Sequence, residues 1–445
     1  MIRRMAINPI PQFPDGFLWG VSTSAHQIEG AADAREPSVW DAFTAEPGRI
    51  KDGSTAAVAC DHYHRYGEDV ALLAGLGVDA YRFSVSWPRV LSKGGLDFYD
   101  RLVDEVCAAG VRPVPTLFHW DLPLAFQEAG GWLERDTASR FTEYVSVVAD
   151  RLGDRVKKWI TVNEPAEHTL LGHALGTHAP GRQLMFDALP AAHHQLLAHG
   201  LAVQALRAAG ARDIGIANSH GPTWPASQEP ADLEAAAFYD VLLNRLFVDP
   251  LLLGEYPAEL GELMPGDVAS DLKVIAEPLD FYGINYYAPT RVGAPQGTEI
   301  EFGGVRIPAE LPFTVRQIEN VPVTDFGWPV VPEGLTELLT GFRERYGDRL
   351  PPVVITENGC SYPGIDDQDR IAYLDGHLRA LHRAVEAGVD VRGYFVWSLL
   401  DNFEWAEGYE RRFGLVHVDF SDPGVLKRTP KASYAWLREV LRDQR

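Results

Sequence analysis

One arrangement of apolar and polar positions recurs along the chain: a segment of helical period, then a glycine, then a short continuous apolar run. The stretches "LLAGLGVDAYRFSVSW" and "VCAAGVRPVPTLFHW" are two examples. The glycines that carry the pattern are Gly77, Gly110, Gly153, Gly210, Gly347 and Gly388. Each suits the position after a helix, where a left-handed backbone is common. Because the apolar runs lack polar alternation, they predict parallel strands covered by helices on both faces.

Two further apolar runs, at 16–24 and 279–287, bring the predicted strands to eight. The strands are expected near residues 17, 79, 112, 158, 213, 280, 352 and 392. The helices are expected at 61–76, 95–109, 136–152, 187–209, 231–253, 333–346, 367–387 and 432–442. Eight alternating units predict an α/β protein, a single (β/α)8 TIM barrel over 1–445 with its active site at the C-terminal ends of the strands. Residues 1–12 are expected to be a flexible N-terminal segment.

A doubly wound sheet is the alternative for such alternating units. It is disfavoured because no glycine-rich phosphate loop follows the first strand. A stretch without a regular pattern, 288–331, follows the sixth strand. A loop of this length after a barrel strand is expected to lie on the catalytic face and to shape the substrate pocket.

Composition and charge narrow the classes of partner. The 445 residues are 46% hydrophobic and carry a formal net charge of −22, which argues against nucleic acids and anionic membranes as partners. No apolar run reaches the roughly 18 residues of a membrane span, and the N-terminal stretch lacks the apolar core of a secretory signal. The three cysteines have no metal-binding spacing and suit a reducing compartment. We therefore predict a cytoplasmic protein.

Two predicted strands end in a carboxylate. "WITVNEP" halts at Asn163 and Glu164 before a proline, and "VVITENG" halts at Glu357. A single glutamate in such a place is most often a loop residue that faces water. Strands four and seven of an eight-stranded ring, however, are expected on opposite sides, so their carboxylates would face each other across the mouth. Two facing carboxylates are the apparatus of glycoside hydrolysis.

The chain resembles the glycoside hydrolase family 1 β-glucosidases from about residue 13 to residue 440. The matching phrases include "FPDGFLWGVSTSAHQIEGA", "AYRFSVSWPR", "LFHWDLP", "ITVNEP", "DFYGINYY", "ITENG" and "VWSLLDNFEWAEGY". The resemblance implies a retaining hydrolase of terminal non-reducing β-D-glucosyl residues, acting by double displacement through a covalent glycosyl-enzyme in polysaccharide and cellulose degradation. It further implies action on β-galactosides and β-fucosides. The partner is then a small-molecule β-glycoside or oligosaccharide.

The resemblance also implies roles for single residues. Glu357 is expected to be the nucleophile and Glu164 the acid/base. Arg82 and Tyr287 match residues that contact the nucleophile, and Asn163 matches the residue that binds the sugar 2-hydroxyl. The rest of the expected site is Gln27, His119, Trp397, Glu404 and Trp405 for the substrate, with Asn285 as a supporting residue. Taken singly, an arginine, a tryptophan or a loop glutamate would have a structural interpretation; the combined motifs favour the site.

No cofactor and no metal are predicted, because the carboxylate pair supplies the chemistry. The histidines that could suggest metal ligands are His62, His64, His193, His194 and His199. The first two lack a further ligand at zinc spacing, and the other three share one predicted helix without the HExxH pattern. We expect structural or surface roles for all five.

Three other functions stay open. A 6-phospho-β-glycosidase of the same family would carry phosphate-binding Ser, Lys and Tyr residues near "DNFEW", where this chain has Glu404. A non-catalytic sugar-binding barrel would be expected to lack one of the two carboxylates. A transglycosidase would use the same residues and differ only in its acceptor.

After "NEP" the chain reads Ala166, Glu167 and His168, where many relatives carry bulky apolar residues. The resemblance places this segment on the side of the leaving group.

Overall fold

Eight parallel strands form the centre of the computed structural model, which describes residues 9–302 and 305–445. In chain order they are β1 (Leu18–Ser22), β2 (Ala80–Ser84), β3 (Arg112–Phe118), β4 (Lys158–Asn163), β5 (Asp213–Ser219), β6 (Phe281–Asn285), β7 (Val353–Asn358) and β8 (Val391–Trp397). Each strand pairs with its neighbours in this order, and β8 closes on β1. The predicted barrel and its eight strands are confirmed.

Helices cover the outside of the barrel. The long ones are His62–Leu76, Gly95–Ala108, Asp136–Leu152, Leu189–Ala208, Pro230–Asp240, Pro332–Tyr346, Gln368–Glu386 and Ala432–Asp443. The shorter α-helices are Ala25–Ile28, Val39–Thr44, Trp87–Leu91, Leu124–Glu128, Pro165–Glu167, Leu246–Leu252, Ala258–Gly261 and Val268–Ile275. The tighter 3₁₀ turns are Ala32–Ala34, Gly131–Leu133, Met185–Ala188, Gly347–Arg349 and Trp405–Glu407. Two π-helical turns, His168–Ala174 and Val241–Arg245, complete the helical elements of the described residues.

The predicted helices agree with this arrangement except in one region. The single helix predicted over 231–253 is helical without a break from Pro230 to Leu252, but it contains the π-helical turn Val241–Arg245 in its middle. The sequence pattern does not predict the helix Val268–Ile275. This helix has only eight residues and is capped by the side chain of Asp267, which accepts a hydrogen bond from Ser270 N. Two helical turns carry too few apolar repeats for a periodic signal to stand out.

A layer of apolar side chains fills the interior of the barrel. It takes one buried residue from every strand: Leu18, Ala80, Val114, Ile160, Ala217, Phe281, Val354 and Phe395. Side chains two positions further along a strand point to the same face. At those positions β2, β3 and β7 carry the polar residues Arg82, Thr116 and Thr356. The apolar layer is therefore the base on which a polar layer rests at the C-terminal mouth.

The two strands with terminal carboxylates do not lie diametrically opposite each other. In the ring, β4 and β7 are separated by two strands on one side and by four on the other. Their ends therefore face each other obliquely across the mouth, and β6 ends between them on the shorter arc.

The stretch 288–331 contains short strands, so the expectation of a wholly irregular loop is wrong. Its strands are Thr290–Gly293, Ile300–Phe302, Val305–Ile307 and Thr314–Arg316. Two of them join Thr223–Pro225 in a small three-stranded sheet, and the other two pair with each other antiparallel. Buried apolar residues of this region, among them Leu311, Phe313 and Val315, pack with Ala235 and Ala236 of the helix Pro230–Asp240. A further short pair, Val416–Val418 and Arg428–Pro430, follows β8.

The predicted flexible segment 1–12 lies outside the described residues as far as residue 8. Its described part makes hydrogen bonds to the C-terminal helix: Gln12 Nε2 donates to Asp443 O at 2.7 Å, and Gln444 Nε2 donates to Pro11 O at 3.0 Å. Among the described residues, no helix combines the length and the apolar character that crossing a bilayer requires.

Candidate active site

Glu164 stands at a sharp turn directly after β4. Its backbone has φ of +46°, a left-handed conformation that a residue with a Cβ adopts rarely and at a cost of about 1–3 kcal/mol. Pro165 begins the next short helix, and Glu164 N donates to Ala217 O at 2.7 Å. The turn ends the strand abruptly, and the glutamate carboxylate lines the cavity at the barrel mouth.

Glu357, near the end of β7, is held by two donors. Arg82 Nη1 donates to its Oε1 at 2.5 Å, and the Tyr287 hydroxyl donates to its Oε2 at 2.7 Å. The Arg82 guanidinium and the Glu357 carboxylate are almost fully buried. Both carboxylate oxygens are thereby fixed in position, and the ionised form is the one that these donors favour.

A hydrogen-bonded floor joins the two carboxylates. Arg82 Nη2 donates to Asn163 Oδ1 at 2.5 Å, and Asn285 Nδ2 donates to the same oxygen at 3.1 Å. Asn285 Nδ2 also donates to Glu164 Oε1 at 2.8 Å. Because Asn163 and Asn285 serve both sides, a displacement of either carboxylate would disturb the other.

His119 is held as a neutral imidazole in this floor. Burial, with the positive charge of Arg82 as the second cause, lowers its pKa well below the usual value. Asn163 Nδ2 lies 3.1 Å from His119 Nε2, so Nε2 accepts and Nδ1 carries the proton. Among the described residues, Nδ1 is buried and has no hydrogen-bond partner.

The two carboxylates sit in different electrostatic surroundings. Burial raises the pKa of Glu164 well above its usual value, and the negative charge of Glu357 raises it further. Burial also raises the pKa of Glu357, but Arg82 and Tyr287 oppose that rise. Of the two, Glu164 is the one that keeps its proton, and Glu357 is the one that ionises.

A second polar group lies on the β1 and β8 side of the mouth. Gln27 Nε2 donates to Asn402 Oδ1 at 3.0 Å and to Glu404 Oε2 at 3.3 Å. Burial first, and then the negative charges of Glu357 and Glu407, raise the pKa of Glu404 to about 8. Near neutral pH a protonated Glu404 can donate a hydrogen bond as well as accept one.

Aromatic rings form a wall beside these groups. Trp405 lies 4.7 Å from Trp120 and stacks on His119 at 6.0 Å, measured between ring centroids. His119 also stacks on Trp397 at 5.9 Å. Flat rings of this kind suit the C–H face of a sugar.

All the predicted site residues meet around one cavity of about 320 Å³, a size within the range of small-molecule sites. Those that line it are His119, Glu164, Tyr287, Glu357, Trp397, Glu404 and Trp405. Those that reach it through the hydrogen bonds given above are Gln27, Arg82, Asn163 and Asn285. Their roles in catalysis and binding stay predictions.

Several lining residues were missed from the sequence. They are Trp120, Ser219, Tyr239, Phe326 and Trp328, with an apolar group from 305–315. Trp120 follows His119 directly, so it had a signal in the sequence. Glu167, which the sequence placed on the side of the leaving group, also lines the cavity. The expectation that 288–331 shapes the pocket is confirmed, since Ile307, Phe313 and Trp328 line the cavity.

The histidines that could suggest a metal site have protein partners. His62 Nδ1 lies 2.8 Å from Asp69 Oδ2, His193 Nε2 lies 3.0 Å from Asp271 Oδ2, and His199 Nδ1 lies 2.6 Å from Thr161 Oγ1. The described residues contain no group of three side chains suited to hold a metal ion. That the protein needs no metal stays a prediction.

Comparison with known proteins places the whole arrangement in a family. The model of glycosyl hydrolase family 1 matches residues 10–445. The chain belongs to this family. Glycosyl hydrolases of family 1 retain the configuration of the anomeric carbon and have a (β/α)8 barrel, so the resemblance and the fold class inferred from the sequence are confirmed.

Characterised relatives of this family 1 glycosyl hydrolase are similar along their full length. It is 42% identical to β-glucosidase A of Thermotoga maritima over 98% of both chains. It is 40% identical to the bifunctional β-D-glucosidase/β-D-fucosidase of Bifidobacterium breve, covering 97% of this chain and 98% of the relative. The crystal structure of a psychrophilic β-glucosidase from Micrococcus antarcticus superimposes with a TM-score of 0.92 at 45% identity, covering 98% of this chain and all of the other.

The contact between Tyr287 and Glu357 predicts a pH effect on glycoside hydrolysis. The Tyr287 hydroxyl lowers the pKa of Glu357, so Tyr287→Phe should raise that pKa and move the acidic limb of the kcat/KM profile to higher pH. Tyr286→Phe is the matched control, because its hydroxyl donates to Val331 O and not to the carboxylate. An acidic limb that stays in place in Tyr287→Phe, or moves equally in both variants, would contradict this role.

Proposed function

We propose that the protein hydrolyses terminal non-reducing β-D-glucosyl residues, with Glu164 as acid/base and Glu357 as nucleophile. The observation that carries the proposal is the pair of buried carboxylates in opposite surroundings, one holding a proton and the other paired with Arg82. The names of the full-length relatives support the choice of a β-glucoside. The cytoplasm stays the predicted location.

The first step joins the sugar to the enzyme. Protonated Glu164 gives its proton to the glycosidic oxygen while a Glu357 oxygen attacks the anomeric carbon, and the bond to the leaving group breaks. The Tyr287 and Arg82 donors aim the attacking carboxylate. The product is a covalent α-glycosyl ester of Glu357 and the free aglycone.

The second step reverses the roles of acid and base. Once Glu357 is esterified, it no longer carries the negative charge that raises the pKa of Glu164. Glu164 is then ionised and takes a proton from water, which attacks the anomeric carbon and releases Glu357. Two inversions give net retention of the β configuration.

The sugar is assigned to the side of the mouth that Glu404 and Trp397 line, with Gln27 hydrogen-bonded to Glu404 behind it. Glu404 and Gln27 are placed to hydrogen-bond the 3-, 4- and 6-hydroxyl region, and Trp397 offers its ring as a platform, with Trp405 beside it. His119 lines the same cavity and is expected to contact the sugar. The Asn163 amide is the expected contact of the 2-hydroxyl, a bond that strengthens in the transition state.

The range of sugars follows from these contacts. We expect hydrolysis of p-nitrophenyl β-glucoside, β-galactoside and β-fucoside. The reason is that the groups assigned to the 4-hydroxyl, Glu404 and Gln27, are expected to tolerate both its axial and its equatorial orientation. The α-glucoside should be inert, since its leaving group would point towards Glu357. The 6-phosphate should also be inert, because the described lining residues include five glutamates and neither Lys nor Arg. Turnover of the α-glucoside, or of the β-glucoside 6-phosphate, that is faster than turnover of p-nitrophenyl β-glucoside would contradict the proposal.

Azide rescue tests the two roles. Glu357→Gly should lose nearly all hydrolysis, and added azide should attack from the vacated side to give an α-glucosyl azide. Glu164→Ala should still form the glycosyl-enzyme from a dinitrophenyl glucoside, whose leaving group needs no proton, and then stall. Azide should rescue it to the β-glucosyl azide, and the alkaline limb of its pH profile should be lost.

The two variants are each other's control, since each removes one carboxylate from the same cavity. NMR spectroscopy of the azide products assigns their anomeric configuration. The same configuration from both variants, or α-glucose as the first product of the wild type, would show that the roles are wrongly assigned.

A further inference from the structure

A third carboxylate lies beside the acid/base, on the side away from the proposed sugar site. Glu167 follows Glu164 by three residues and lines the same cavity. The hydroxyl of Ser219, at the end of β5, lies against it and favours its charged form. The sugar contacts Gln27 and Trp397 belong to the β1 and β8 side, across the mouth. Glu167 therefore faces the region that the leaving group occupies when Glu164 protonates the glycosidic oxygen.

The wall around Glu167 is mostly apolar. Leu170 comes from the π-helical turn His168–Ala174, Leu243 from the turn Val241–Arg245, and Ile307 and Phe313 from the long segment after β6. A flat apolar group that leaves the sugar site would lie against these side chains. Its burial would be favourable by about 25 cal/mol for each Å² removed from water.

The same wall has empty space behind it. A second cavity, of about 60 Å³, is bounded almost entirely by apolar side chains, among them Ala166, Met185 and Phe247. Leu170, Leu243 and Phe313 line both cavities and separate them. Because these side chains can move into open space, the wall can adapt to an aromatic ring without compressing a packed core.

The carboxylate of Glu167 is half-buried in this wall. Burial raises the pKa of Glu167, and the hydrogen bond from Ser219 opposes that rise. Tyr239 is near enough to be affected by its charge. A polar group in an apolar surrounding gains from each hydrogen bond that a ligand adds.

We propose that Glu167 selects the leaving group by accepting a hydrogen bond from a hydroxyl on an aryl aglycone whose ring lies on the apolar wall. The favoured substrates are then β-glucosides of hydroxylated phenols. This inference rests on the proposed β-glucosidase function and names the class of aglycone for the same site. Glu167 is a specificity-determining residue in this account, and the chemistry stays with Glu164 and Glu357.

The test compares isosteric aglycones. A hydroxyl and a methyl group are similar in size, but only the hydroxyl can donate to Glu167. The kcat/KM values for hydroxyphenyl and methylphenyl β-glucosides, each with the substituent in the meta or para position, report the step in which the aglycone leaves. Their ratio within one preparation does not depend on the fraction of protein that is folded.

Three variants are compared with the wild type. In Glu167→Leu the ratio of kcat/KM for the hydroxyphenyl to that for the methylphenyl β-glucoside should fall by about 10-fold, because the hydrogen-bond acceptor is lost. This holds for whichever ring position, meta or para, gives the larger ratio in the wild type. Glu167→Gln keeps an acceptor oxygen and should retain most of the preference. Glu143→Gln changes an exposed glutamate on the outer helix Asp136–Leu152 and should leave the ratio unchanged. The difference in acidity between the two phenols cancels when ratios are compared between enzymes.

The outcomes separate this inference from the function on which it rests. A wild type that cleaves no aryl β-glucoside would overturn the proposed function. A wild type that cleaves both aglycones, with the same ratio in Glu167→Leu, would overturn only the role of Glu167. Equal losses in Glu167→Gln and Glu167→Leu would also overturn it, because the preference would then not depend on a hydrogen-bond acceptor.

Discussion

The buried guanidinium of Arg82 is the group on which the arrangement of the barrel mouth depends. It extends from β2 and donates to Thr116 Oγ1 on β3, to Asn163 Oδ1 on β4 and to Glu357 Oε1 on β7. The Arg82 side chain is 1% exposed, and a guanidinium buried in this way needs a negative partner in the structure around it. Ionised Glu357 is that partner. The stability of the polar layer and the ionisation of Glu357, the proposed nucleophile, thus have the same cause.

The same cation accounts for the difference between the two carboxylates. Arg82 forms an ion pair with Glu357. It is linked to Glu164 only indirectly, because it donates to Asn163 Oδ1, which also accepts from Asn285, and Asn285 donates to Glu164. Glu164 therefore experiences burial and the charge of Glu357 without a cation at its own oxygens, and its proton is retained. The left-handed backbone conformation of Glu164 has a small conformational cost, and the preceding strand and the following helix hold the residue in that conformation. Rigid elements fix both groups before any substrate arrives.

The barrel and the site at its mouth could be predicted from the sequence to different extents. Glycines after helices and continuous apolar runs are local signals, so the eight strands and most helices could be predicted. Glu164 and Glu357 could be found because each interrupts an apolar strand at its end. The approach of Ser219 and Tyr239 to Glu167 depends on contacts between distant segments, and no local pattern encodes it. The segment 288–331 was expected to shape the pocket, but its individual apolar residues at 305–315 could not be named for the same reason. The π-helical turn Val241–Arg245 was missed because it differs little from a helix in its residue pattern.

Glu357 is the residue that we expect to form the covalent bond to the sugar. A 2-deoxy-2-fluoro-β-glucoside with a dinitrophenolate leaving group slows both steps through its fluorine, while the activated leaving group restores the first, so the glycosyl-enzyme accumulates. Mass spectrometry of a proteolytic digest then locates the added sugar. We expect one fluorodeoxyglucosyl group per chain, on the peptide that contains Glu357, and its loss when a sugar acceptor is added. A label on the peptide that contains Glu164, or inactivation without a covalent label, would contradict the account.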